Sequence, residues 1–138
     1  MFLVIDLSVP NQIRVCLGAE GRVHEKIISK KNTDLLSVVD GFLRARKVSL
    51  VDLSGVAVRV GGGGFTSVRV ATTLANTFAY VTQKPVIALG PQESEDFAHL
   101  VSRFGEAHSK YVRALYSAEP NISQNRSLWG AIKSKNKK

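Results

Sequence analysis

Four consecutive glycines, Gly61–Gly64, stand between the β-branched run Val56-Ala57-Val58-Arg59-Val60 and a long stretch with helical spacing. A strand that passes into a helix through residues without side chains restricts the fold more than any other feature of this chain. The joint has to turn sharply, and it serves either to cradle an anion at the helix start or to let a second backbone come close. The helical stretch, 66–82, carries Val70, Leu74, Phe78 and Val81 as one apolar stripe, and Ala71, Ala75 and Ala79 as a neighbouring stripe of small side chains.

Upstream of this joint the period is that of strands. Residues 2–5 are all apolar, as in a central strand buried on both faces. Ser8-Val9-Pro10-Asn11 is a turn, and 13–17 alternates Ile13, Val15 and Leu17 against Arg14 and Cys16. A tight turn at 19–22 leads to a third strand at 23–28, which completes an antiparallel meander. The period then becomes helical. Leu35, Leu36, Val39, Phe42 and Leu43 define an amphipathic helix, with Thr33 as the expected N-cap and Asp34 in the first turn. A fifth strand is expected within "KPVIALG", and a third helix at 93–104 behind the acidic entry "PQESED". The order β-β-β-α-β-α-β specifies an α/β fold: a five-stranded mixed sheet with flanking helices, as in the ribonuclease H-like fold and the lobes of actin-like ATPases.

The glycine run fits no standard phosphate loop. A Walker A loop needs Lys followed by Ser or Thr, whereas Phe65-Thr66-Ser67 follows Gly64; a dinucleotide fingerprint has spaced glycines after the first strand of its unit. Asp6 ends the first strand, where actin-like ATPases and ribonuclease H-like nucleases place an acid that binds magnesium. Asp6 is therefore the candidate nucleotide and Mg residue, against the simpler reading that it caps the turn through Ser8. No acid ends the fourth strand, which weighs against a two-metal nuclease. His24, His99 and His108 are scattered, and a metal site is not expected. Cys16 reads as buried filler.

Several segments resemble the bacterial TsaB (YeaZ) family. "MFLVIDLSVPNQIRVCL" resembles its opening strand, I-D-T-S turn and second strand, and "NTDLLSVVDGFL" resembles its first helix. "VDLSGVAVRVGGGGFTSVRVATTLANTFAY" resembles the family's most specific signature, an apolar strand followed by G-P-G-S-F-T-G-L-R. Gly61, Gly63, Phe65, Thr66 and Arg69 keep the pattern. Gly62 and Gly64 replace its Pro and Ser, Ser67 the Gly after its Thr, and Asn32 its His.

The resemblance covers residues 1–91 and implies an actin-like (ASKHA) first lobe there, a helical remnant at 92–118 in place of the second lobe, and a tail at 119–138. It implies a non-catalytic scaffold for threonylcarbamoyladenosine synthesis on tRNA, with a TsaD-like paralogue as partner and the ATPase TsaE joining the assembly. The implied partner-binding residues lie on the first two helices: Asn32, Leu36, Val39, Phe65, Thr66, Arg69, Ala71, Ala75 and Ala79, beside the loop Gly61, Gly62, Gly63 and Gly64. Alone, the chain is expected to dimerise through the same helices. In the competing reading the alanine stripe packs on the parent sheet. No cofactor is expected, unless ATP and Mg sit at a partner interface; the rival function is a one-lobe phosphotransferase using Asp6 and the glycine loop.

The composition, 44% hydrophobic and 22% charged over 138 residues, is that of an ordinary globular domain. No apolar run approaches the ~18 residues that span a bilayer, and the opening reads as a strand rather than a leader. One cysteine excludes an internal disulfide, and a cytoplasmic protein is the simplest reading. Of the net charge of +8, five positive charges fall in the acid-free segment 125–138: Arg126, Lys133, Lys135, Lys137 and Lys138, with Trp129 among them. Such a tail either binds tRNA through its phosphates, with Trp129 stacking on a base, or is a solvated end.

Overall fold

A computed structural model of the chain describes residues 1–29, 34–61, 64–107 and 111–112. Strands β1 (Phe2–Asp6), β2 (Gln12–Ala19) and β3 (Arg22–Ser29) precede helix α1 (Leu35–Ala45); β4 (Gly55–Arg59), α2 (Phe65–Thr82), β5 (Val86–Leu89) and α3 (Phe97–Glu106) follow. The sheet order is β3-β2-β1-β4-β5. The meander β1-β2-β3 is antiparallel, and β1, β4 and β5 are parallel to one another. This is the mixed five-stranded sheet that the periodicity specifies.

Strand alternation divides the core into two layers. Leu3 and Ile5 of β1, Ile13, Val15 and Leu17 of β2, and Val56 and Val58 of β4 face α1 and α2. Phe2, Val4, Cys16, Ala57, Ile87 and Leu89 face the other way, where Leu100 and Phe104 of α3 cover them. Burial raises the Cys16 thiol pKa to about 12, against the attraction of Arg14, so the cysteine is inert packing as its place in the strand suggests.

The helix starts differ from expectation at two places. Asp34, not Thr33, caps α1: its side chain accepts hydrogen bonds from the Ser37 backbone at 3.3 Å and the Ser37 hydroxyl at 3.0 Å. Thr33 lies outside the described residues. Helix α3 begins at Phe97 with Asp96 as its N-cap residue, later than the acidic run suggests: Glu95 is held by Arg14 and Arg59 of the sheet, and Glu93 pairs with Arg103 on α3. Among the described residues, no helix is long and apolar enough to cross a membrane.

Candidate docking surface and the strand-end charge cluster

Helix α2 has two unlike sides. Ala71 and Ala75 are fully buried and Ala79 nearly so, all within the core layer formed by α1 and α2. This corrects the assignment of the alanine stripe to a partner. Small side chains let α2 lie close on β4, and Phe78 from the other expected stripe is buried beside them. Val39 of α1 is likewise wholly buried and unavailable to a second chain.

The outer side of the same helices keeps apolar groups in solvent. Leu36 is 52% exposed, Val70 42%, Val81 66% and Tyr80 77%. Between α1 and α2 runs an open groove of about 410 Å³, lined by Leu35 and Leu36 on one wall and by Thr66, Arg69, Val70, Thr73, Leu74 and Thr77 on the other. Of the expected contact residues, Leu36, Thr66 and Arg69 therefore meet at one place. Phe65 opens α2. Asn32, Gly62, Gly63 and the tail residues Arg126, Trp129, Lys133, Lys135, Lys137 and Lys138 lie outside the described residues. Thr73, Thr77 and Tyr80 were not legible as surface residues, since the sequence pattern did not say which of the two stripes turns inward.

The glycine joint is only partly explained within the chain. Gly61 has φ +79°, a left-handed conformation that glycine adopts without strain. Gly64 caps α2 with φ −66°, and a Cβ placed on it meets nothing within 4 Å. Neither its backbone nor its packing demands glycine at that position.

Asp6 stands in a different setting. It lies on the α3 side of the sheet at the end of β1, in register with Arg14 of β2. Ser8 donates to its Oδ1 from the backbone at 2.8 Å and from the hydroxyl at 2.5 Å, the Asx turn that the sequence suggested. Its Oδ2 faces the guanidinium groups of Arg14 and Arg59, each at 3.6 Å. Arg59 is 8% exposed and also bonds to Glu95; Arg14 bonds to Glu25 at 2.8 Å and Glu95 at 2.7 Å. Burial works against the Arg14 charge, but the hydrogen bonds it donates to Glu25 and Glu95 outweigh it and raise the pKa above the ordinary arginine value.

This donor set does not suit magnesium. Two fixed cations occupy the space in front of the carboxylate, and among the described residues no three acidic, histidine or cysteine side chains converge as metal ligands. In this arrangement the Asp6 carboxylate balances the two arginines and caps the turn at Ser8. The sequence carried one signal of this cluster, a lone arginine inside an otherwise apolar buried strand, which requires an acidic partner.

The model of a family described as "TsaD: tRNA N6-adenosine threonylcarbamoyltransferase" matches residues 9–93, more than half of the chain. The chain belongs to the TsaD family. A tRNA N6-adenosine threonylcarbamoyltransferase of Geotalea uraniireducens (strain Rf4) is 32% identical over 102 residues, which cover 73% of this chain and 29% of that protein. The protein of the same description from Persephonella marina (strain DSM 14350 / EX-H1) is 26% identical over 83 residues, 59% of this chain and 24% of the relative. Among solved structures, YeaZ from Pseudomonas aeruginosa superimposes with a TM-score of 0.59 at 29% identity, over 64% of this chain and 43% of YeaZ. A protein described as uncharacterized, with similarity to peptidase YEAZ from Pseudomonas aeruginosa, matches with the same score and identity and 42% of its own length. The chain thus spans less than a third of these TsaD relatives and less than half of YeaZ. The YeaZ-like character read from residues 1–91 agrees with both comparisons.

Proposed function

We propose that the chain is a non-catalytic, cytoplasmic scaffold in the synthesis of threonylcarbamoyladenosine on tRNA. It holds a TsaD-like partner across the outer sides of α1 and α2. The observation that carries this reading is the arrangement of those helices. Their inner sides are fully used by the sheet, yet Leu36, Val70, Tyr80 and Val81 remain apolar and exposed beside an open groove. A small domain gains nothing from exposing such groups on two adjacent helices unless another surface covers them. A helix pair laid against this one buries an area of the standard size, about 1,600 Å² in total. Gly64, which the chain itself does not require to be glycine, leaves the start of α2 open to the partner's backbone. In the partner's absence the same surface supports a homodimer.

The reading of the chain as a phosphotransferase loses its main support, because Asp6 is neutralised by Arg14 and Arg59. The test is co-expression with a TsaD-like protein followed by size-exclusion chromatography. A stable heterodimer is expected, and the double substitution Leu36→Arg, Val70→Arg is expected to abolish it while the chain stays folded. Retention of the heterodimer by that variant refutes the assignment.

A further inference from the structure

Strand β3 closes one edge of the sheet. It pairs with β2 along its whole length, and among the described residues no strand lies on its other side. Alternate residues of an antiparallel strand turn their backbone N–H and C=O groups away from the neighbour, so this edge carries a row of unpaired donors and acceptors. Every side chain from Arg22 to Ile27 is exposed. The two faces of the strand are unlike. The register with β2 sets Val23, Glu25 and Ile27 beside Gly18, Cys16 and Arg14, on the side of the sheet that α3 covers. Arg22, His24 and Lys26 stand beside Ala19, Leu17 and Val15 on the other.

Native sheet edges are guarded by charge. Here the charge guards one face only. Arg22, His24 and Lys26 follow one another at about 7 Å, the two-residue repeat of a strand. Among the described residues, no side chain pairs with any of the three. Glu25, the one acid of the strand, is taken by Arg14 at 2.8 Å. Val23 and Ile27 are left 65% and 53% exposed, and Gly18 opposite Val23 offers it no side chain. A strand added to this edge sets its residues directly opposite those of β3 and on the same faces. A second copy fits poorly: the antiparallel register that joins Val23 to Ile27 of the copy opposes Glu25 to Glu25 and His24 to Lys26. The basic segment 125–138 of this chain brings like charge as well. A strand that alternates apolar and acidic residues matches both faces.

We propose that β3 receives an extended acidic segment of a partner protein as a sixth strand of the sheet. Apolar side chains at every second position of that segment cover Val23 and Ile27, and the carboxylates between them face Arg22, His24 and Lys26. Main-chain hydrogen bonds hold the segment, and the alternation of its side chains selects it. None of the residues lining the α1–α2 groove lies on β3, so this contact is separate from the docking of a TsaD-like partner and leaves that groove open.

The experiment titrates fluorescein-labelled peptides of about the length of β3 against the full chain, with fluorescence anisotropy as readout. A peptide alternating Val and Glu is expected to bind at least about tenfold more tightly than one alternating Val and Lys, because like charges opposed across an interface are penalised. It is also expected to bind more tightly than a Thr–Glu peptide, which keeps the charge and the preference for extended backbone but loses the apolar contact. The double substitution Arg22→Glu, Lys26→Glu, at two exposed positions, is expected to weaken the Val–Glu peptide at least about tenfold and to strengthen the Val–Lys peptide. Equal binding of the Val–Glu peptide and either comparison peptide, or no binding of the Val–Glu peptide, overturns the proposal. Tighter binding of a single-stranded oligonucleotide than of any peptide overturns it too, and makes the cationic face a phosphate contact. Amide hydrogen exchange gives a second measurement. The Val–Glu peptide is expected to slow exchange at the amides of β3 that point away from β2. Unchanged exchange with the peptide bound overturns the proposal, as does slowing caused by protein concentration alone, which makes a second copy the occupant.

Discussion

Gly55 opens β4 directly beneath the ring of Phe104 in α3, and a methyl group on that glycine would fall inside the ring. The ring has little room to yield, because it stacks on Phe2 with centroids 4.4 Å apart and planes 12° from parallel. The seat of α3 on the sheet is therefore set by the absence of one side chain. Gly55→Ala is expected to destabilise the chain by about 1–3 kcal/mol, the usual cost of overpacking a filled core. Urea denaturation followed by far-UV circular dichroism measures it. The loss should shrink in the background of Phe104→Leu, which has no ring to displace, and an equal loss in both backgrounds contradicts the steric account.

That contact also marks where the sequence stops being informative. The sheet was legible because its strands alternate or are wholly apolar, and the helices because Leu35, Val39, Phe42 and Leu43 recur with helical spacing. The inward side of α2 was not legible. Val70, Leu74, Phe78 and Val81 formed as good a stripe as Ala71, Ala75 and Ala79, and the choice is made by how near α2 lies to β4. Alanines allow the close approach, and then Val70 and Val81 are left outside. The Arg59–Glu95 pair was equally hidden, because the two residues meet only after the chain has formed β5 and folded back over it. The acids before α3 suggested a helix dipole, but Arg14 and Arg59 hold Glu95 at the strand ends, and Glu93 bonds to the side chains of His99 and Arg103 on α3 instead of standing in its first turn.

The two sides of α2 give opposite outcomes for the same substitution. Ala75→Arg places a cation in a fully buried site within an apolar core layer, and is expected to leave the chain unfolded or aggregated. Val70→Arg lies at the groove and is expected to change stability by less than about 0.5 kcal/mol while preventing heterodimer formation. Thermal melting of both variants, beside chromatography of Val70→Arg with a TsaD-like partner, checks the pair. A soluble, folded Ala75→Arg would mean that the alanine stripe is not the inner side.

Asn76 on α2 takes hold of the backbone of Val112 with both ends of its amide. Its Nδ2 donates to the Val112 carbonyl at 2.9 Å, and its Oδ1 accepts from the Val112 amide at 2.7 Å. The segment after α3 is thereby fixed to the helix on the opposite side of the sheet, with Val112 packed against that core layer. Asn76→Leu removes both bonds and is expected to cost about 1–2 kcal/mol. Hydrogen exchange at the Val112 amide should rise in this variant, while exchange in β1 and β4 stays slow except through global unfolding. Asn76→Asp keeps the acceptor for the amide and is expected to protect Val112 better than Asn76→Leu does.

Glu93 gives the chain a defined acid dependence. Partial burial opposes its charge, but hydrogen bonds from His99, the Gly90 backbone and Arg103 outweigh that and lower its pKa from 4.5 to about 2. His99 and Arg103 each lie 2.7 Å from its Oε2, and Gly90 donates to its Oε1 at 3.2 Å. A carboxyl that is more acidic folded than unfolded stabilises the fold fully above the unfolded value of about 4.5, and loses that contribution as pH falls through about 2. Glu93 is part-exposed, so solvent screening reduces the contribution to about 1–2 kcal/mol. Urea midpoints for the unaltered chain and Glu93→Gln should therefore differ at pH 6 and converge between pH 4.5 and 2. Because every other carboxyl is common to both proteins, the difference isolates Glu93. A gap that persists undiminished at about pH 2 would mean that packing by residue 93, and not its charge, holds the start of α3.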